Sequence, residues 1–251
     1  MLHELKGLNM AKTVNCTECL KNKLYKIYTK TLAFTLAETL IVMGVIGIVA
    51  AITLPNLNSS TGDKEKVTKV KKIYQNLNDA FGRAVAVYGP YDEWFVNDTT
   101  AKAKTKRITE RLTEFMKVTK VCDPATECFV RDKKSYDDSS SQDNLTENAY
   151  GVVLADGTSL LIVIDGIYFD LDGKNKGKNL QGLDIFYFEI TKSGIETYCT
   201  VNDCNLEYVF NDADGVTDWI IKTGNMDYLK ADSKGKCPNG TQLSETVTSC
   251  K

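Results

Sequence analysis

The stretch from Phe34 to Leu54, FTLAETLIVMGVIGIVAAITL, is 21 residues long and carries one charge, Glu38. At ~1.5 Å of rise per residue, a helix of that length crosses a ~30 Å hydrocarbon layer, so the run reads as a membrane-spanning helix. It is too long for the apolar part of a secretory signal and no Ala-x-Ala site closes it, so it is expected to stay attached. Ahead of it lie 33 residues that include Lys21, Lys23, Lys26 and Lys30, and almost all of the water-soluble chain follows. That asymmetry predicts a single-pass anchor with its basic flank in the cytoplasm and its long C-terminal part exported.

Glu38 is out of place in such a run. A carboxylate in lipid costs roughly 2.5 to 3.5 kcal/mol, so it calls for a partner or for a position at the interface. Residues 33–57, AFTLAETLIVMGVIGIVAAITLPNL, resemble the prepilin N-terminal motif of type IV pilins and type II secretion pseudopilins. The resemblance covers about 25 residues and joins a basic leader, a Phe-Thr-Leu start, one Glu at the family's offset and a Pro closing the span. It implies cleavage between Ala33 and Phe34 by a prepilin peptidase, which also N-methylates Phe34. It further implies that Glu38 pairs with the N-terminus of a neighbouring subunit and that Pro55 kinks the helix. The family usually has Gly where this chain has Ala33. The partners implied are the peptidase, other pilin subunits, the inner membrane and an assembly platform. The location implied is the inner membrane before assembly, then a cell-surface filament or a periplasmic pseudopilus.

Four segments follow from this reading: a cytoplasmic leader, 1–33, to be removed; a transmembrane and assembly helix, 34–55; an amphipathic half of the same long helix, 56–90; and a globular domain, 91–251. Removing the leader leaves 251 − 33 = 218 residues, of which about 160 lie beyond the first long helix, enough for one core. The leader holds six Lys and two acids, so the mature chain has 31 − 6 = 25 basic and 33 − 2 = 31 acidic residues, a net charge of −6. This argues against a nucleic-acid partner, which would want a basic stripe. Cys16 and Cys19 form a C-x-x-C in the leader, but no second pair with metal spacing stands nearby.

Val67, Val70, Ile73, Tyr74, Leu77, Phe81, Ala84, Val85 and Tyr88 recur at steps of three and four, and Gly89-Pro90 ends the run. This amphipathic helix must lie against something, most simply a sheet. The cluster Lys64, Lys66, Lys69, Lys71 and Lys72 on it reads as its solvated face. Residues 91–149 read as an insert with a short helix around Ile108, Leu112, Phe115 and Met116 and a polar surface loop from Lys133 to Asn148. From Tyr150 the composition turns strand-like: YGVVL and SLLIVI flank Ala-Asp-Gly-Thr, and DIFYFEI follows after a loop. The expected class is α+β, with the long helix packed on a small antiparallel sheet. That is also the order of the pilin fold that the resemblance implies.

Between two strands lies FDLDGKNKGKNLQGLD. Asp170, Asp172, Asn175, Asn179 and Asp184 are hard oxygen donors, and Gly173, Gly177 and Gly182 let the backbone turn back, as a structural Ca²⁺ ion requires. No Glu closes it as in an EF-hand. The alternative is a polar turn whose Asp side chains cap its own amides, and three Lys within it would oppose a cation. The loop is similar to the Asp-x-Asn-Gly segment of many pilin-like proteins, some of which carry calcium; here Asp172 stands for the Asn and Lys178 for a Pro. No cofactor is otherwise required. A second acidic cluster, Asp212, Asp214 and Asp218, surrounds Gly215.

Six Cys follow the anchor, as Cys122/Cys128, Cys199/Cys204 and Cys237/Cys250. The simplest pairing is local, although six Cys allow 15 connectivities; three small closed loops suit an oxidising compartment. The sole His, His3, lies in the leader, so the mature chain has no imidazole for base work or metal ligation. There is no G-x-S-x-G, P-loop or G-x-G-x-x-G, and the chain is expected not to be an enzyme. Two readings of different class follow: a structural subunit that polymerises through its apolar helix, or a membrane-anchored extracytoplasmic module that binds DNA, glycan or a secretion substrate without polymerising.

Overall fold

The computed structural model describes residues 35–130, 134–135, 146–211 and 214–250, with the backbone alone described at 50–61, 134–135, 207 and 211. The chain divides into two compact units, Met1–Asn56 and Leu57–Lys251. Helix α1 runs over Leu36–Tyr88. It ends where the residues say it should: Gly89 takes φ 83°, its N–H closes on the Val85 carbonyl at 3.0 Å, and Pro90 cannot continue the ladder.

Within the second unit the elements follow in the order α2 (Ala101–Thr113), β1 (Val118–Cys122), β2 (Lys134–Ser135), β3 (Tyr150–Leu154), β4 (Ser159–Ile162), β5 (Gly166–Asp170), β6 (Leu180–Gln181), β7 (Ile185–Ile190) and β8 (Ile195–Glu196). Three short helices close the chain: α3 (Tyr198–Asn202), α4 (Leu206–Asn211) and α5 (Val216–Thr223). The strands form one sheet in the order β1-β3-β4-β5-β7-β6-β2, with β8 paired to β7. The β1-β3-β4-β5-β7 run and the β7–β8 pair are antiparallel, whereas β7–β6 and β6–β2 are parallel.

Two expectations are corrected here. The small antiparallel sheet is an eight-stranded mixed one, because the insert supplies β1 and β2 and the loop before β7 folds back to supply β6. The membrane-spanning first half of the helix is not supported: among the described residues no helix is long and apolar enough to cross a membrane. Further along the same helix the surface is charged, with Asp63, Lys64, Glu65 and Lys66 in succession.

The amphipathic part of α1 supplies one wall of the core. Val67, Val70, Ile73, Leu77, Ala80, Phe81 and Ala84 share one apolar cluster with Val152, Leu160, Ile162, Ile167, Phe169, Phe186 and Phe188 of the sheet. Those sheet residues alternate along each strand, as one face of a pleated strand must. The opposite face carries Leu161, Tyr168, Ile185 and Tyr187, covered by Ala125, Phe129 and Ala149. Burial on both faces explains why β3, β4 and β5 read as near-continuous apolar runs. Gly151 and Gly166 permit close approach: a Cβ at Gly151 would lie 2.7 Å from the Ala125 carbonyl, and one at Gly166 would lie 2.3 Å from the Tyr187 ring.

Candidate functional site

The first turn of α1 holds the acid that stood out in the sequence. Thr35 N–H and Thr35 Oγ1 each donate to Glu38 Oε2 at 3.0 Å, and Glu38 N–H donates back to Thr35 Oγ1 at 3.3 Å. This is a reciprocal Thr-x-x-Glu capping box, which satisfies amides that a helix start otherwise leaves without partners. A carboxylate there also faces the positive end of the helix dipole. Glu38 therefore has a local task, readable from the Thr35/Glu38 spacing. Both bonds fall on Oε2 of Glu38.

Around that cap the helix surface is apolar. The large apolar side chains from Leu36 to Ile48 are 54–79% exposed. At 100° per residue they face every direction, and a Cβ added at Gly44 or Gly47 would meet nothing within 4 Å. Ala33 and Phe34, the expected cleavage and methylation positions, lie outside the described residues. Pro55 lies inside the helical run, where only the backbone is described.

In the oxygen-rich loop Asp side chains cap the loop's own amides. Asp170, fully buried, accepts at Oδ1 from the N–H groups of Asp172 and Gly173, both at 3.1 Å. With its amide turned so that nitrogen donates, Asn179 reaches Asp170 Oδ2 and the Lys176 carbonyl, each at 3.2 Å. Asp184 accepts the Lys178 N–H at Oδ2, 2.7 Å, and the Lys66 ammonium at Oδ1, 2.6 Å. Asp172 lies 3.8 Å from Lys69 Nζ. Burial pushes the Asp170 carboxyl up to about 6, with the nearby Asp172 and Asp184 charges adding to the rise and the two backbone N–H donors opposing it. Asn175, also proposed as a ligand, has no part in these contacts. Among the described residues no group of three or more His, Cys, Asp or Glu could hold a metal ion.

In the lysine cluster on α1, read above as a solvated face, Lys64 and Lys72 are exposed; Lys69 pairs with Glu65 and Asp172 and Lys72 with Asp156 at the surface, whereas Lys66 turns in to the buried Asp184. In the second acidic cluster Asp214 bonds Gln181, while Asp218 accepts from Thr197 Oγ1 at 2.7 Å and faces Lys222 at 2.8 Å. Asp212 lies outside the described residues.

Three disulfides close local loops, Cys122–Cys128, Cys199–Cys204 and Cys237–Cys250. The first holds Ala125 and Phe129 against the outer sheet face. A polar clamp that the sequence did not flag sits between α1 and the sheet: Asn78 accepts the Ile195 N–H at 3.1 Å and donates to the Ile195 carbonyl at 3.0 Å, occupying both main-chain groups of β8 at that residue. No family model, curated protein or solved structure matches this chain.

Proposed function

We propose that this chain is a prepilin-type structural subunit. A prepilin peptidase removes residues 1–33 and methylates the new amino group of Phe34, and the apolar start of α1 then packs against the same helix of other subunits in a type IV pilus or pseudopilus. The observation that carries this reading is the all-round exposure of large apolar side chains from Leu36 to Ile48. A soluble monomer rarely shows a contiguous apolar surface of that kind unless something else covers it. A helix apolar on every side suits the centre of a bundle, where each face meets a neighbour. Three local disulfides suit a domain displayed outside the cytoplasm.

In this reading the subunit waits at the inner membrane for the assembly platform and ends in a surface filament or periplasmic pseudopilus. Its task is mechanical and not catalytic. Glu38 has two successive partners: Thr35 within its own helix, and the Phe34 amino group of the neighbouring subunit once both leave water. The test is co-expression with a prepilin peptidase and an assembly system. Loss of 33 residues, an N-methylated Phe34 by mass spectrometry, and recovery in sheared filaments are expected. An uncut chain found only in membranes would overturn the reading in favour of a non-polymerising binding module.

A further inference from the structure

The loop from 171 to 184 is closed by a side chain from more than a hundred residues away. Lys66 Nζ donates to Asp184 Oδ1 at 2.6 Å and to the Leu183 carbonyl at 3.0 Å. The Asp184 side chain is 3% exposed and that of Lys66 23%, so the pair is largely withdrawn from water. The loop is wound tightly on its acids: a Cβ at Gly177 would lie 3.0 Å from Asp184 Oδ2 and 3.2 Å from Asp172 Oδ2. Two carboxylates facing one glycine repel each other, and a buried carboxylate without a countercharge is costly. A divalent ion would answer that need with oxygen ligands. Here an ammonium meets it, with a carboxylate oxygen and a main-chain carbonyl as its acceptors. Lys69, one turn further along α1, adds a second positive charge 3.8 Å from Asp172.

The pair also supports the parallel edge of the sheet. The Asp184 and Leu183 N–H groups both bond the Leu180 carbonyl, at 2.9 and 3.1 Å. Leu180–Gln181 is β6, which pairs β7 at Gln181 and carries β2 on its other side. We propose that Lys66 is the resident countercation of this loop and that the Lys66–Asp184 pair is a strap by which α1 holds the loop and the β6 edge closed. Loop order then follows the position of α1 and not the divalent cation content of the medium. This inference stands apart from the filament reading and survives its failure.

Hydrogen exchange of the full-length protein in detergent tests it, with calcium chloride or EGTA added. In the native protein, exchange at Lys178 and at Leu180 to Asp184 should be the same in both. Lys66→Met should speed exchange there about tenfold or more while β4 and β5 keep their protection. Lys69→Met, which leaves the buried pair intact, should change little. Asp184→Asn, which keeps the side-chain volume and removes the charge, should open the same amides and serves if Lys66→Met does not fold. Exchange unchanged in the variants would overturn the proposal, as would calcium slowing exchange in the native protein, since the loop would then take an ion in place of the lysine.

Discussion

From Leu36 to Ile48, helix α1 leaves its large apolar side chains 54–79% exposed, whereas further along the same helix Val67, Val70, Ile73, Leu77, Ala80, Phe81 and Ala84 are exposed by 7% or less. Side-chain type does not distinguish the two stretches; Val and Ile serve in both. What differs is the pattern and the wall. The second stretch spaces its apolar residues on one face and the sheet of its own chain covers them. The first has no polar face to turn outward, so no single wall within a subunit could cover it, and it suits contacts with other molecules on all sides.

The largest effect expected tests that division directly. Leu77→Ala removes a fully buried side chain from the shared core and should destabilise the domain by about 2 to 5 kcal/mol, whereas Ile46→Ala should fall within about 0.5 kcal/mol. Chemical denaturation of the two variants checks this. A large loss in Ile46→Ala would mean that its own chain covers the first stretch, and the contrast would collapse. In the proposed filament, Ile46→Ala should show itself instead as weaker recovery of sheared material.

The second prediction concerns how the inward stretch is held in register. Asn78→Ala deprives the Ile195 N–H and carbonyl of their side-chain partner and should cost about 1 to 3 kcal/mol. The loss should appear as faster hydrogen exchange at β8 before any change at Phe186 or Phe188. Equal exchange across β7 and β8 would mean that apolar packing alone sets the position of the helix.

Much of the inward stretch is legible from sequence. The run from Val67 to Tyr88 has helical spacing and a Gly-Pro stop, and α1 ends at Tyr88. YGVVL and the first four residues of SLLIVI are strands, as the alternation and the Asp-Gly turn suggest. GIYFD does not stand out as a separate strand because the chain makes a second tight turn at Ile164-Asp165, inside what reads as one strand followed by a loop. Strands β2 and β6, of two residues each, are too short for any period to register, so the parallel edge was invisible. The helices after residue 197 are five to eight residues long, below the length at which a 3.6 period is recognisable. Lys66 and Asp184 lie 118 positions apart, and nothing local marks them as partners. The Thr35-x-x-Glu38 box is the reverse case. Its spacing is legible in the sequence, where the surrounding apolar run makes Glu38 conspicuous as a charge and not as a cap.

A third prediction uses the buried acid under the inward stretch. Asp170 is held at about 6 in the folded state, above the ~3.9 of an unfolded chain. Its contribution to stability is therefore fully present below ~3.9 and lost as pH rises through about 6. Asp170→Asn cannot ionise and retains an acceptor for the Asp172 and Gly173 N–H groups. Relative to that variant, the native protein should lose on the order of 1 to 2 kcal/mol between pH 4 and pH 6.5. A difference that does not change with pH would place the carboxyl in contact with solvent.

The smallest effect on folding, and the sharpest on the outward stretch, comes from Glu38. Glu38→Ala removes both the cap and the charge. Glu38→Gln removes only the charge, because a glutamine at the third helical position can still reach back to the Thr35 N–H. Loss of the cap should cost about 0.5 to 2 kcal/mol of helix stability, confined to the first turn. In the proposed filament both variants should still be cut after Ala33, and both should assemble poorly, because the amino group of the next subunit is left without its countercharge. Quantifying sheared filaments from the two variants separates the roles. If Glu38→Gln assembles normally and Glu38→Ala does not, the carboxylate serves only to start the helix. The outward stretch would then associate through its apolar surface alone.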